Sequence, residues 1–166
     1  IDIDNAFAFK EKGMLRTLAS LFRSLAKADI RTLRYQLEVL AGRKKDPFDT
    51  YDFQMKIQKE YGIKPIYFFL LGDYGMNDKN LSHENRTLRS LVKNIADYSS
   101  VGIHPSFGSN SKRGQLRREI KRLERMVNRE VAKSRQHFLK LRLPETYRNL
   151  IEEDIREDYT MGFASE

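Results

Sequence analysis

Hydrophobic and polar positions along the chain follow two periods in turn. Ile1-Asp2-Ile3-Asp4 alternates at period two, the mark of an extended segment. From Met14 the period becomes helical: Leu18, Leu21, Phe22 and Leu25 share one face, and Ile30, Leu33, Leu37 and Leu40 share another. Gly42, followed by Arg43-Lys44-Lys45, closes that second helix with a C-terminal glycine and nearby cations. Asp46-Pro47 imposes an extended dipeptide, after which Asp49 or Thr50 can cap a helix carrying Phe53, Ile57 and Tyr61 inward, ended by Gly62. The unbroken apolar run 66–71 between Pro65 and Gly72 predicts a strand covered on both faces. Leu88, Leu91, Val92 and Ile95 stripe a further helix, residues 101–104 predict a strand, and Leu116, Ile120, Leu123 and Val127 stripe a long basic helix. A short strand over 134–139, a helix over 144–153 with Pro144 in its first turn, and a last strand over 158–163 complete the pattern.

Strand and helix in regular alternation require crossover connections and therefore a parallel α/β sheet. Five strands are expected. A closed eight-stranded barrel takes about 250 residues, so these 166 residues read as a single domain forming a partial or distorted (β/α) barrel, itself incomplete.

Composition narrows the chemistry. Without cysteine there is no disulfide framework, no thiolate zinc site and no cysteine nucleophile. No apolar run reaches the roughly 18 residues of a membrane span, and no signal-peptide pattern opens the sequence, which leans the expected location toward the cytoplasm. The net charge of +8 is unevenly spread: residues 10–45 carry ten basic and three acidic side chains, residues 112–142 twelve and three, leaving the rest net acidic. Both basic blocks are helical in pattern, so the charges first read as solvated faces rather than as a nucleic-acid surface. The oligomeric state is not set by the sequence.

In parallel α/β folds ligands collect at the carboxyl ends of the strands. Asp2, Asp4, Asp73, His104, His137 and Asp158 all fall near such ends. Asp2 and Asp4 stand two apart on an extended segment and point the same way. Two like charges that close resist joint ionisation, a conflict resolved by a divalent metal on one carboxylate with the other left to handle a proton.

The ordered set Asp-Ile-Asp (2–4), Tyr-Phe-Phe-Leu-Leu (67–71), Val-Gly-Ile-His-Pro-Ser (101–106), Ser-Arg-Gln-His (134–137) and Asp-Tyr-Thr-Met-Gly-Phe (158–163) resembles the polysaccharide deacetylase (NodB-homology) superfamily, in its divergent bacterial Asp-x-Asp branch. The resemblance runs along nearly the whole chain and leaves 14–45 as a helical insertion in a NodB-like domain. It implies a metal-dependent hydrolase that removes N- or O-acetyl groups from an acetylated carbohydrate. Asp2 then matches the catalytic base, Asp4 the first metal ligand, His104 the first histidine of the second motif, and Arg135 the arginine that orients the base. Where the family places a second histidine this chain has Gly108, so His137, Asn110 or a water takes the third ligand position; His137 is assigned to it. Asp73, Ser106 and Asn110 are assigned to substrate contact, and Tyr74 and Phe107 are candidates to stack on a sugar. The metal implied is zinc, with cobalt or nickel as alternatives; it would lower the pKa of a bound water toward roughly 7 while Asp2 takes the proton. The family's last motif, with the general-acid histidine, would lie beyond Glu166. Two other readings stay open: a catalytically inactive glycan-binding relative, suggested by Gly108, and a polyanion or nucleic-acid binder using the two basic helical blocks.

Overall fold

A computed structural model describes residues 1–112 and 114–162; Phe163, the end of the expected last strand, lies outside the described residues. The elements in chain order are β1 (Asp2–Ile3), α1 (Met14–Ala26), α2 (Ile30–Leu40), α3 (Tyr51–Tyr61), β2 (Ile66–Phe69), α4 (Arg86–Tyr98), β3 (Ser100–Ile103), α5 (Gln115–Val127), β4 (Lys133–Ser134), α6 (Glu145–Glu152) and β5 (Glu157–Asp158). Short 3-10 turns follow β3 at Phe107–Asn110 and β4 at His137–Leu139.

The five strands form one all-parallel sheet in the order β1-β2-β3-β4-β5. The expected α/β class and strand count hold; among the described residues the sheet has β1 and β5 as its two edges. Parallel strands need long crossovers, and helices fill those crossovers. The aromatic run of β2 lies at the centre because it can be buried on both faces: Tyr67 and Phe69 join the main core, while Phe68 lies against Gly102 of β3 on the other. Ile3, Leu71, Val101 and Ile103 meet Leu88, Val92 and Ile95 of α4 and Ile120, Leu123 and Met126 of α5 in that core. Each such side chain contributes about 1.5–3 kcal/mol when fully buried.

Local signals set the helix ends. Asn85 accepts from Leu88 N at 2.8 Å to cap α4, and Asp29 accepts from Thr32 N at 3.0 Å to cap α2. Gly62, at φ 64°, ends α3 in a left-handed conformation that costs glycine little.

Three elements differ from the sequence pattern. In α3, Phe53 and Tyr61 are exposed and Tyr51 is buried instead. The Tyr51 hydroxyl donates to Ala6 O at 2.8 Å, and Gln54 and Gln58 bind the Tyr67 hydroxyl at 2.8 and 2.7 Å. That polar network turns the helix so that its glutamine side, not Phe53, faces the sheet. The strand expected over 134–139 pairs only at Lys133–Ser134; the chain then enters a 3-10 turn at His137–Leu139, where Phe138 stands at φ 58°. The last strand stops at Asp158, whose carboxylate turns back to accept from Thr160 N at 3.1 Å. Among the described residues no helix is long and apolar enough to cross a membrane.

Candidate metal centre

Three strand ends deliver one side chain each to a common point. Asp4 follows β1, His104 follows β3 and His137 follows β4. Asp4 Oδ1 lies 3.2 Å from His104 Nε2 and 3.4 Å from His137 Nδ1, and the two ring nitrogens are 3.1 Å apart. The backbone register holds this arrangement: Leu70 N donates to Ile3 O, His104 N to Phe69 O, Arg135 N to Ile103 O and His137 N to Pro105 O. Both imidazoles are buried; the Asp4 carboxylate is half exposed, so the point they share opens to solvent on one side.

The far side of each ring is already engaged. His104 Nδ1 meets Arg135 O, and His137 Nε2 lies 3.3 Å from Asn77 O. A carbonyl oxygen can only accept, so each of those nitrogens carries the hydrogen and the inner nitrogen of each neutral ring is a lone pair. Two lone pairs and a carboxylate oxygen then face one another, which is unfavourable without a shared proton or cation. A tetrahedral ion with bonds of 2.0–2.1 Å to nitrogen and oxygen needs donor spacings of about 3.3 Å, and the observed spacings lie close to that. Backbone acceptors behind metal-ligating histidines are the usual means of fixing tautomer and ring orientation. The donor set therefore fits a divalent cation. Without a cation, protons on the inner ring nitrogens would bridge to the carboxylate instead, and such hydrogen bonds from His104 and His137 hold Asp4 far below the usual carboxylate range. Burial is the largest single influence on the His137 pKa and acts to lower it, but the bond and charge of Asp4, the Asn77 carbonyl and the charge of Asp78 together outweigh it and the net shift is upward.

Beside this cluster Arg135 Nε donates to Asp2 Oδ2 at 3.0 Å, while its Nη1 donates to Tyr159 O. The guanidinium thus ties β1 to the segment after β5 and fixes the Asp2 carboxylate, and the carbonyl of the same residue fixes His104. Asp2, Asp4, His104, Arg135 and His137 are all brought together.

The other residues expected at the site each make contacts of their own. Ser106 is fully buried; its hydroxyl donates to Glu119 Oε1 at 2.6 Å and its amide to Glu119 Oε2 at 2.9 Å. Asp73 is held by Arg122 of α5 at 2.6 Å, which keeps its carboxyl below its ordinary range. Asn110 bonds Gln136 and Thr146 at 3.3 and 3.4 Å, so both ends of its side-chain amide are engaged. Asp158 accepts from the hydroxyls of Ser134 and Thr160 at 2.6 and 2.9 Å, clamping β4 to β5. Tyr74 lies under the Arg16 guanidinium at 4.4 Å, and Phe107 meets Phe138 edge-on at 6.0 Å. The exposed Phe138 ring also lies 4.2 Å from His137, making it the nearer aromatic to the centre.

Two buried carboxylates carry no signal in the sequence pattern. Asp78 accepts from Phe107 N and Gly108 N at 2.8 and 3.1 Å and holds the loop after His104. Glu119, its pKa raised by burial against the lowering effect of its Ser106 and Gln115 bonds, sits beneath that loop. Both stand among ordinary polar neighbours in the sequence, and only the loop's approach identifies them. Comparison with protein-family models, curated proteins and solved structures returned no match, so the assignment of this centre rests on its own geometry.

Proposed function

We propose that this chain is a metal-dependent hydrolase that removes acetyl groups from a carbohydrate, within a distorted (β/α) barrel of the polysaccharide deacetylase type. The observation that carries the reading is the convergence of Asp4, His104 and His137, whose donor atoms lie within 4.8 Å of one another, beside an Arg135-bound Asp2. A divalent cation, zinc first among the candidates, supplies Lewis acidity when bound there. Asp2 takes the proton of the attacking water as general base, and Arg135 holds its carboxylate in a fixed orientation. Asp4 contributes the anionic ligand, and the carbonyls of Arg135 and Asn77 keep the histidine lone pairs turned inward. Phe138 offers an apolar surface at the rim for a sugar ring.

Two observations weigh against the alternatives. Gly108 suggests a lost ligand, yet His137 stands where a third donor is needed. In the second basic block, Arg117, Lys121, Arg122, Lys133 and Arg135 all pair with carboxylates, which leaves less free charge for a polyanion than the count suggests. The test is acetate release from N- and O-acetylated oligosaccharides by chelator-stripped protein, before and after adding zinc, cobalt or nickel. The expected result is metal-dependent release that Asp2→Asn abolishes while metal binding persists. Metal-loaded protein that binds the oligosaccharides but releases no acetate would replace the enzyme with an inactive glycan binder.

A further inference from the structure

The α1–α2 hairpin has two unlike sides. Its inner side is fastened to the body: Gln36 and Val39 are buried, Tyr35 packs edge-on against Phe9 at 6.2 Å, and Arg16 donates to the carbonyls of Lys79 and Asn80 at 2.8 and 3.2 Å. Its outer side is an open apolar groove between the helices, formed by Leu18, Leu21, Phe22, Leu25, Leu33 and Leu37. Phe22 is 73 % exposed, Leu25 61 % and Leu18 57 %, and none of the residues of α1 is buried. Scattered apolar residues on a surface need no explanation, but a contiguous stripe on two adjacent helices marks a surface that something covers.

The hairpin's charge selects the occupant: residues 14–40 carry five basic side chains and two acidic ones, a net of +3. Arg23, Lys27 and Arg31 are exposed and make no ion pair among the described residues. The hairpin's two acids are both engaged, Asp29 with Thr32 N and Glu38 with Lys44 and Arg34. A second copy docked groove to groove would bring two net-positive hairpins together. A net-positive hairpin with an exposed apolar groove between its helices matches an anionic bilayer, where the apolar side chains enter the headgroup boundary and the basic hairpin is drawn to the anionic surface. We propose that the α1–α2 hairpin docks this protein on the surface of an anionic lipid membrane. The inference goes beyond the hydrolase reading and does not depend on it.

The test is co-sedimentation of the full chain with phosphatidylcholine vesicles, alone or carrying about one third phosphatidylglycerol. Binding is expected to be at least about tenfold tighter to the anionic vesicles. It should fall by a similar factor in Phe22→Glu/Leu25→Glu and in Arg23→Glu/Lys27→Glu/Arg31→Glu, and persist in Lys121→Glu/Arg125→Glu on α5. All these side chains are exposed, and unchanged thermal unfolding would show that the variants fold. Equal binding to both vesicle types, no binding, or binding that survives Phe22→Glu/Leu25→Glu would overturn the proposal. So would a concentration-dependent dimer that ignores vesicles and dissociates in Phe22→Glu/Leu25→Glu, which would assign the groove to a second copy.

Discussion

Arg135 and Asp2 are 133 positions apart in the chain, yet the guanidinium Nε meets the carboxylate at 3.0 Å. The same arginine presents its backbone carbonyl to His104, so one residue orients both the proposed base and a proposed metal ligand. A lysine at 135 would keep the positive charge but lose the fork that spans Asp2 and Tyr159 O.

Substitutions at this pair should separate chemistry from metal binding. Asp2→Asn is expected to lower kcat by about 10²–10⁴-fold, the usual contribution of a positioned base, with metal content unchanged. Arg135→Lys should lower kcat by a smaller factor and leave the His104 carbonyl contact in place, since that contact is made by the backbone. Steady-state acetate release together with metal analysis of each variant distinguishes the two effects.

Metal binding should stabilise the fold. With zinc at about one hundred times its Kd, the native chain should gain about 2.7 kcal/mol, read as a rise in Tm that a chelator reverses. Asp4→Ala, His104→Ala or His137→Ala should each remove most of that rise. A zinc-induced rise that survives all three would place the ion elsewhere.

Asp46 ties the segment after Asp4 to the start of α3. Its carboxylate accepts from the amides of Ala8, Phe9, Lys10 and Phe48 at 2.7 to 3.0 Å. Burial acts to raise its pKa, but the four amide bonds prevail and the net shift is downward. A depressed carboxylate adds stability that is fully present above about pH 4 and is lost as pH falls through its folded value. Asp46→Ala should cost about 2–4 kcal/mol at neutral pH, and chemical denaturation as a function of pH should show a shallower loss of stability in acid than the native chain.

Gly102 is held to glycine by close approach. A Cβ there would come within 2.7 Å of the Phe68 ring and 2.8 Å of Lys133 O, and the second of these is backbone of the neighbouring strand. Gly102→Ala should therefore destabilise by about 1–3 kcal/mol and, because His104 is two residues on, weaken zinc binding as well. Thermal unfolding with and without zinc measures both; a neutral substitution would mean that β3 and β4 can separate freely.

The sequence by itself determined the period of each element, and hence the alternation that demands a parallel sheet. It also placed Asp2, Asp4, His104 and His137 near strand ends, because strand ends are where apolar runs such as 66–71 and 101–103 give way to polar residues. Tertiary structure decided what a linear pattern does not encode. The face α3 turns inward depends on the Tyr67 hydroxyl reaching Gln54 and Gln58, and the burial of Ser106 depends on Glu119 rising from α5 beneath it. Donor spacings near 3 Å at Asp4, His104 and His137 arise from strand register and ring orientation, both set by hydrogen bonds between segments far apart in the chain.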